Sequence, residues 1–214
     1  MTDAKPLTGL ELLTTTRSVR RRIDRTREVD RDLLLRCLEV AMQAPNGADE
    51  QAWRWIVVTD EKQREKIGAC YHAANEQFAA SVTARADAGD EAAKLKLASS
   101  GVFWDHLGEV PVLVIACFEP QPWFDGASPY ALASAYGSIF PAVWNFQLAC
   151  RLEGLASCLI TSHLRFADEI AKIVELPDQF IQAGIVAVGH LIGSSFQPAR
   201  RNPLNEVVRF DRWS

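Results

Sequence analysis

The residues of this chain best suited to chemistry are Arg17, Ser18 and Arg20, in the tract Thr14-Thr-Thr-Arg-Ser-Val-Arg-Arg-Arg22. Guanidinium N–H groups meet phosphate oxygens in pairs and keep their charge at physiological pH. Two of them beside a hydroxyl therefore form a donor set that grips a phosphate monoester. The neighbouring Arg21, Arg22 and Arg25 read as a solvated basic face balanced by Asp24, Glu28 and Asp30.

The totals narrow what that phosphate belongs to. The 214-residue chain carries a formal net charge of -4 and is 48% hydrophobic, which describes an ordinary globular protein and excludes disordered and fibrous classes. A surface able to hold a nucleic-acid backbone would have to be local, so nucleic acid is a weak rival, with salt-dependent DNA retention as its signature. His72, His106, His163 and His190 show no ligand spacing, and no metal site is expected. Gly-x-Ser-x-Gly, the phosphate loop G-x-x-x-x-G-K and the dinucleotide fingerprint G-x-G-x-x-G are absent, which argues against the usual hydrolase, triphosphatase and Rossmann readings. Cys37, Cys70, Cys117, Cys150 and Cys158 form no C-x-x-C pair, are odd in number and sit mostly in apolar surroundings. They read as free thiols in a reducing cytoplasm. The opening residues carry no apolar signal region and no run approaches the roughly 18 apolar residues of a membrane span. A cytoplasmic protein, neither exported nor anchored, is expected.

Elements must hold these groups. Leu7, Leu10 and Leu13 predict a short helix over 7–16 that leads directly into the arginine tract. Asp30 caps a predicted helix through Gln43, stopped by Pro45, and a turn-rich loop follows to Gln51. Trp53–Thr59 reads as a strand, and Asp60 caps a helix running towards residue 80. Residues 81–100, alanine-rich, charged and interrupted by Gly89, predict a mobile helical excursion. The continuous apolar run 110–118 predicts a strand covered on both faces. A long helix follows over 130–151, in which Pro141 forces a kink or break. Residues 155–161 and 183–192 predict further strands, 167–176 a helix stopped by Pro177. The tail from Pro198 has no core of its own and is expected to pack on something. No repeat or linker divides the chain, so 1–214 is expected to be one α/β or α+β domain.

Four segments, Arg17-Ser-Val-Arg20, Ala44-Pro-Asn-Gly-Ala-Asp-Glu-Gln-Ala-Trp-Arg-Trp-Ile-Val-Val58, Gly154-Leu-Ala-Ser-Cys-Leu-Ile-Thr161 and Arg201-Asn-Pro-Leu-Asn-Glu-Val-Val208, together with the closing Asp-Arg-Trp213, resemble in order and spacing the FMN-dependent nitroreductase family. Each segment alone is weak. The four in register cover nearly the whole chain. The resemblance implies an α+β, three-layer fold with a central, mostly antiparallel sheet flanked by helices. It also implies a domain-swapped homodimer with FMN at the subunit interface, in which residues 198–214 form an arm on the partner. By that likeness Arg17, Ser18, Arg20 and Arg201, with Arg200 as helper, hold the FMN phosphate and ribityl chain. Pro45 and Asn46 lie against the flavin of the partner subunit, and Leu159, Ile160 and Thr161 run beside the isoalloxazine ring. Trp104, Trp123 and Phe124, in the variable stretch 81–130, are candidates for the substrate pocket, whereas Trp53 and Trp55 read as core aromatics and Trp213 as a clasp of the dimer.

The chain departs from the family pattern at four places. Thr16 stands where the family carries a first arginine, which shifts the phosphate grip onto Arg20 and Arg201. Asn46, Asp49 and Ala52 occupy the positions of a serine, an asparagine and a proline. A carboxylate at Asp49 beside the ring would disfavour an anionic reduced flavin and lower its potential. The activity implied is that of an FMN-dependent NAD(P)H oxidoreductase, passing hydride by a ping-pong course to nitroaromatic, quinone or related conjugated acceptors. No catalytic side chain is required. The alternative is an FMN store or regulator with little turnover.

Overall fold

The structure is a computed structural model that describes residues 7–193 and 196–213, and the side chain of Val102 lies outside the description. The opening hexapeptide, read above for an export signal, also lies outside the described residues. Among the described residues one sheet is formed by β1 (Ile23–Asp24), β2 (Trp53–Val58), β3 (Val112–Phe118), β4 (Leu155–Ile160) and β5 (Ile181–Leu191). The helices are α1 (Gly9–Thr15), α2 (Arg31–Ala41), α3 (Glu61–Asp87), α4 (Glu91–His106), α5 (Pro129–Leu152), α6 (Ala167–Ile173) and α7 (Leu204–Val207).

The two most apolar strands lie side by side at the centre. β5 runs antiparallel to β3 along one edge, from Val112↔Val188 to Phe118↔Ile181, and antiparallel to β4 along the other, from Leu155↔His190 to Ile160↔Ile185. β2 pairs antiparallel with the outer edge of β3, and the short β1 continues the β3 side of β5 at Ile23↔Leu191 and Asp24↔His190. Alternation along the strands then builds two cores, because successive side chains of a strand face opposite ways. Val112, Val114, Ala116 and Phe118 pack under α2 and α5, while Leu113, Ile115 and Cys117 join residues of α3 and α4 on the other face. The result is the expected α+β architecture, an antiparallel sheet between helices.

The caps lie where the sequence puts them. Asp30 accepts from the Leu33 amide at 2.9 Å and Asp60 from the Gln63 amide at 2.9 Å. Two extents differ from expectation. The helix from Asp60 continues to Asp87, because nothing in 81–87 interrupts it. Gly89, with φ +93°, supplies the turn, and Asp90 caps α4 through the Ala93 amide. α5 also passes through Pro141 as one helix instead of breaking there. Its neighbours Ile139, Ala142, Val143 and Phe146 are all buried, and the Trp53 indole donates to the Ser138 carbonyl at 3.1 Å, one residue from the carbonyl that Pro141 deprives of its helical donor. α6 stops at Ile173, and Glu175 takes a left-handed turn (φ 53°) ahead of Pro177.

Gly189 is where β1 closes on the sheet. A Cβ there would lie 2.6 Å from Ile23 Cγ2 and 2.9 Å from the Asp24 carbonyl oxygen. Gly189→Ala is expected to cost about 1–3 kcal/mol, seen as a lower denaturant midpoint; an unchanged midpoint would show that β1 can yield.

His163, just beyond β4, is fully buried, neither ring nitrogen has a hydrogen-bond partner among the described residues, and burial pushes its pKa down to about 4. The unfolded chain titrates near the ordinary value of about 6.5. Below that pH the unfolded state takes up a proton that the folded state refuses, so stability falls as pH drops from 6.5 towards 4, by on the order of 3 kcal/mol in total. Chemical denaturation at pH 7 and pH 4.5 should show a smaller difference for His163→Leu than for the native chain.

Candidate functional site

The arginine tract leaves α1 and is lashed to the sheet. The Val19 amide donates to the Ser157 carbonyl at 2.9 Å, and Val19 is itself buried, so Ser18 and Arg20 flank a residue fixed against β4. Arg17 and Arg20 are half-buried and Ser18 is exposed. Burial pushes the Cys158 thiol up, opposed by the Arg20 charge and a Ser18 hydrogen bond. The buried Tyr71 hydroxyl is pushed up in the same way, against a hydrogen bond with Ser162 and again the Arg20 charge. The Asn75 amide nitrogen donates to Ser162 Oγ at 2.9 Å. A hydroxyl, a guanidinium and the polar α3 side chains Tyr71 and Asn75 therefore converge between Cys158 on β4 and Ser162 just beyond it, the stretch that holds Leu159, Ile160 and Thr161. The donors and charge present fit a phosphate monoester, and the exposed Thr161 with its adjoining backbone offers hydrogen bonds beside it.

Arg17 and Arg22 turn towards the base of the C-terminal segment. Arg17 donates to the Gln197 carbonyl through Nη2, and Arg22 Nε donates to the Ile192 carbonyl at 2.6 Å. Arg22 is thus half-buried and held, in contrast to the solvated face expected for it. Arg21 and Arg25 are exposed as expected, and Arg25 pairs with Glu109.

The second group of predicted residues gathers around a narrow cavity of about 20 Å³ lined by Asn46, Trp53, Phe118, Trp123, Phe124 and Ser138, among others. The loop before β2 is built tightly. The Gly47 amide donates to Ser138 Oγ at 3.0 Å, the Gln51 amide to Asn46 Oδ1 at 3.0 Å, and Gln51 Nε2 to Asp49 Oδ1 at 3.0 Å. Ala48, Asp49 and Gln51 all take left-handed φ of 48–53°. Such a backbone costs non-glycine residues free energy and persists only where the surroundings over-determine it. Pro45 and Asp49 are exposed. The Trp123 indole donates to Glu50 Oε1 at 3.3 Å and closes one side of the cavity.

Not every predicted residue joins these groups. Trp104 is buried against α3, edge-on to Phe78 at 5.9 Å, and lines a separate groove with His72 and His106. Arg200 and Arg201 are exposed. Arg201 Nη1 lies 3.3 Å from the Arg200 carbonyl, and among the described residues no hydrogen bond, ion pair or ring contact joins either to the Arg17–Arg20 loop. Tyr71, Asn75, Ser162 and Arg151 escaped sequence reasoning. Tyr71 and Asn75, four apart on one helical face, carried a usable signal. Arg151 did not. Among the described residues no three His, Cys, Asp or Glu side chains gather as metal ligands, and no helix is long and apolar enough to cross a membrane.

Several known proteins are similar to this chain in sequence or fold. An iodotyrosine deiodinase of Thermotoga neapolitana is 28% identical over 178 residues, covering 82% of this chain and 83% of that protein. A crystal structure of an iodotyrosine deiodinase bound to FMN and 3-iodo-L-tyrosine superposes with a TM-score of 0.71 at 24% identity, over 95% of this chain and 99% of that one. A BluB-like flavoprotein of Clostridium difficile 630 superposes with a TM-score of 0.69 at 19% identity, over 96% and 100% of the two chains. The sequence profile of the nitroreductase family matches residues 13–190, which include the arginine loop, the strained loop and β4, and the chain belongs to that family.

Proposed function

We propose that the chain is a flavoprotein oxidoreductase that binds FMN and transfers reducing equivalents from NAD(P)H to nitroaromatic, quinone or related conjugated acceptors. The Val19–Ser157 hydrogen bond carries the reading, because it ties the Arg17–Arg20 loop to β4, and both supply residues to the site in this reading. Arg17, Ser18 and Arg20 would hold the phosphate, and Leu159, Ile160 and Thr161 the ring edge. When bound, FMN would supply the redox chemistry, taking hydride from the nicotinamide and passing electrons to the acceptor in a ping-pong course. The protein's part is to grip, orient and exclude water. Trp123 and Phe124, beside Asn46, supply aromatic surface against which a flat conjugated acceptor would pack.

A second copy of the chain completes the site in this reading. The segment from Arg200 to Trp213 is exposed throughout, with Leu204 at 76%, Phe210 at 85% and Trp213 at 78% exposure. Leu10 and Leu13 of α1 and Tyr130 and Trp144 of α5 are exposed as well. Apolar surface on that scale marks an interaction site, and an arm laid on a partner would cover it while carrying Arg200 and Arg201 towards a phosphate.

Purified protein should be yellow and release FMN on denaturation, and should oxidise NAD(P)H with a nitroaromatic acceptor. Arg17→Ala should weaken FMN binding by roughly 1.5–3 kcal/mol, ten- to a hundredfold; a colourless preparation, or wild-type affinity in the variant, would refute the mapping. Deletion of residues 198–214 should convert a dimer into monomers in sedimentation. A native chain that sediments as a monomer, or a deletion that stays dimeric, would sink the arm exchange.

A further inference from the structure

We infer that Phe196 is a positioning residue for the phosphate seat: its ring gathers the guanidinium groups of Arg17, Arg22 and Arg151 into one anion-binding cluster. The inference rests on the FMN reading above and adds three residues to it that the family resemblance did not assign.

The guanidinium carbons of Arg17, Arg22 and Arg151 stand 5.3, 4.3 and 5.0 Å from the centroid of the Phe196 ring. No two of them can therefore be farther apart than twice 5.3 Å. Like charges this close repel, and the negative face of an aromatic ring is one of the few apolar surfaces that attracts them. The backbone fixes each participant separately. Arg17 reaches the Gln197 carbonyl, the residue after Phe196. Arg22 is clamped on both sides, its Nε donating to the Ile192 carbonyl and its own carbonyl accepting from the Ile192 amide at 2.9 Å. Arg151 lies in the last turn of α5, where the helix dipole favours a cation, and is only 9% exposed. Burial and the nearby Arg22 charge both pull its pKa down.

This arrangement bears on the missing arginine of the first motif. Thr16 stands where the family places a guanidinium, yet the same neighbourhood receives charge from Arg22 and Arg151, which sequence order could not associate with Arg17. Phe196 offers no hydrogen bond. Whatever it contributes comes through its ring face, and that makes it separable from a merely space-filling role.

The experiment compares FMN with riboflavin, which differ only in the phosphate, by quenching of flavin fluorescence on the full chain and on Phe196→Leu, Phe196→Tyr and Arg151→Gln. The native chain should prefer FMN. Phe196→Leu, which keeps apolar bulk without a ring, should lower that preference by about tenfold with riboflavin affinity unchanged, Phe196→Tyr should restore it, and Arg151→Gln should repeat the loss. A leucine variant with native preference, an equal loss of both flavins, a tyrosine variant as poor as leucine, or an unaltered Arg151→Gln would each overturn the inference. A native chain that binds neither flavin would overturn the FMN reading itself and this inference with it; native FMN binding with an indifferent Phe196 would overturn this inference alone.

Discussion

β5 is hydrogen-bonded along both edges and buried on both faces, and the placement of everything else depends on that. A strand so enclosed must satisfy every backbone group through neighbouring strands, since no water reaches it. The apolar stretch from Ala183 to Val188 meets the requirement by pairing with β3 and β4 at once. His190 then marks the point where β4 begins on one edge and β1 pairs on the other. The arginine tract, which precedes β1, is drawn alongside β4 as a direct result. The sheet's pairing, more than any property of the tract itself, brings guanidinium groups alongside β4.

Much of this could be read from residue order because it is local. A carboxylate three residues ahead of a helical amide, as at Asp30 and Asp60, is a cap whatever the rest of the chain does. An uninterrupted apolar run such as 112–118 can only be covered on both faces. The donor set Arg17, Ser18 and Arg20 lies within four residues and was legible for the same reason. Arg22 and Arg151 are separated by most of the chain, and only the β4–β5 pairing, together with the turn after β5, carries them to one ring. At Pro141 residue order allowed either a kink or a break, and the helix continues through it with its neighbours Ile139, Ala142 and Val143 buried. The left-handed run at Ala48, Asp49 and Gln51 gave no sign, since alanine and glutamine are ordinary residues for which that backbone is unusual.

Charge is distributed unevenly between the two groups of residues, and they differ in kind. Around Phe196 the cations Arg17, Arg22 and Arg151 crowd together, partly buried, with aromatic and carbonyl groups as their neighbours. At the cavity end the charged groups are carboxylates, Glu50 held by Trp123 and Glu119 paired with Arg54 at 2.7 Å.

The left-handed loop also limits which residues can stand in it. Asparagine and aspartate are the non-glycine residues that enter this backbone region most readily, because a short polar side chain can hydrogen-bond locally, as Asp49 does with Gln51. Where the family pattern has asparagine, this chain has aspartate, and the exchange keeps the backbone while adding a negative charge. The exchange leaves a residue of nearly the same shape in the strained loop, so its consequence is electrostatic and not conformational.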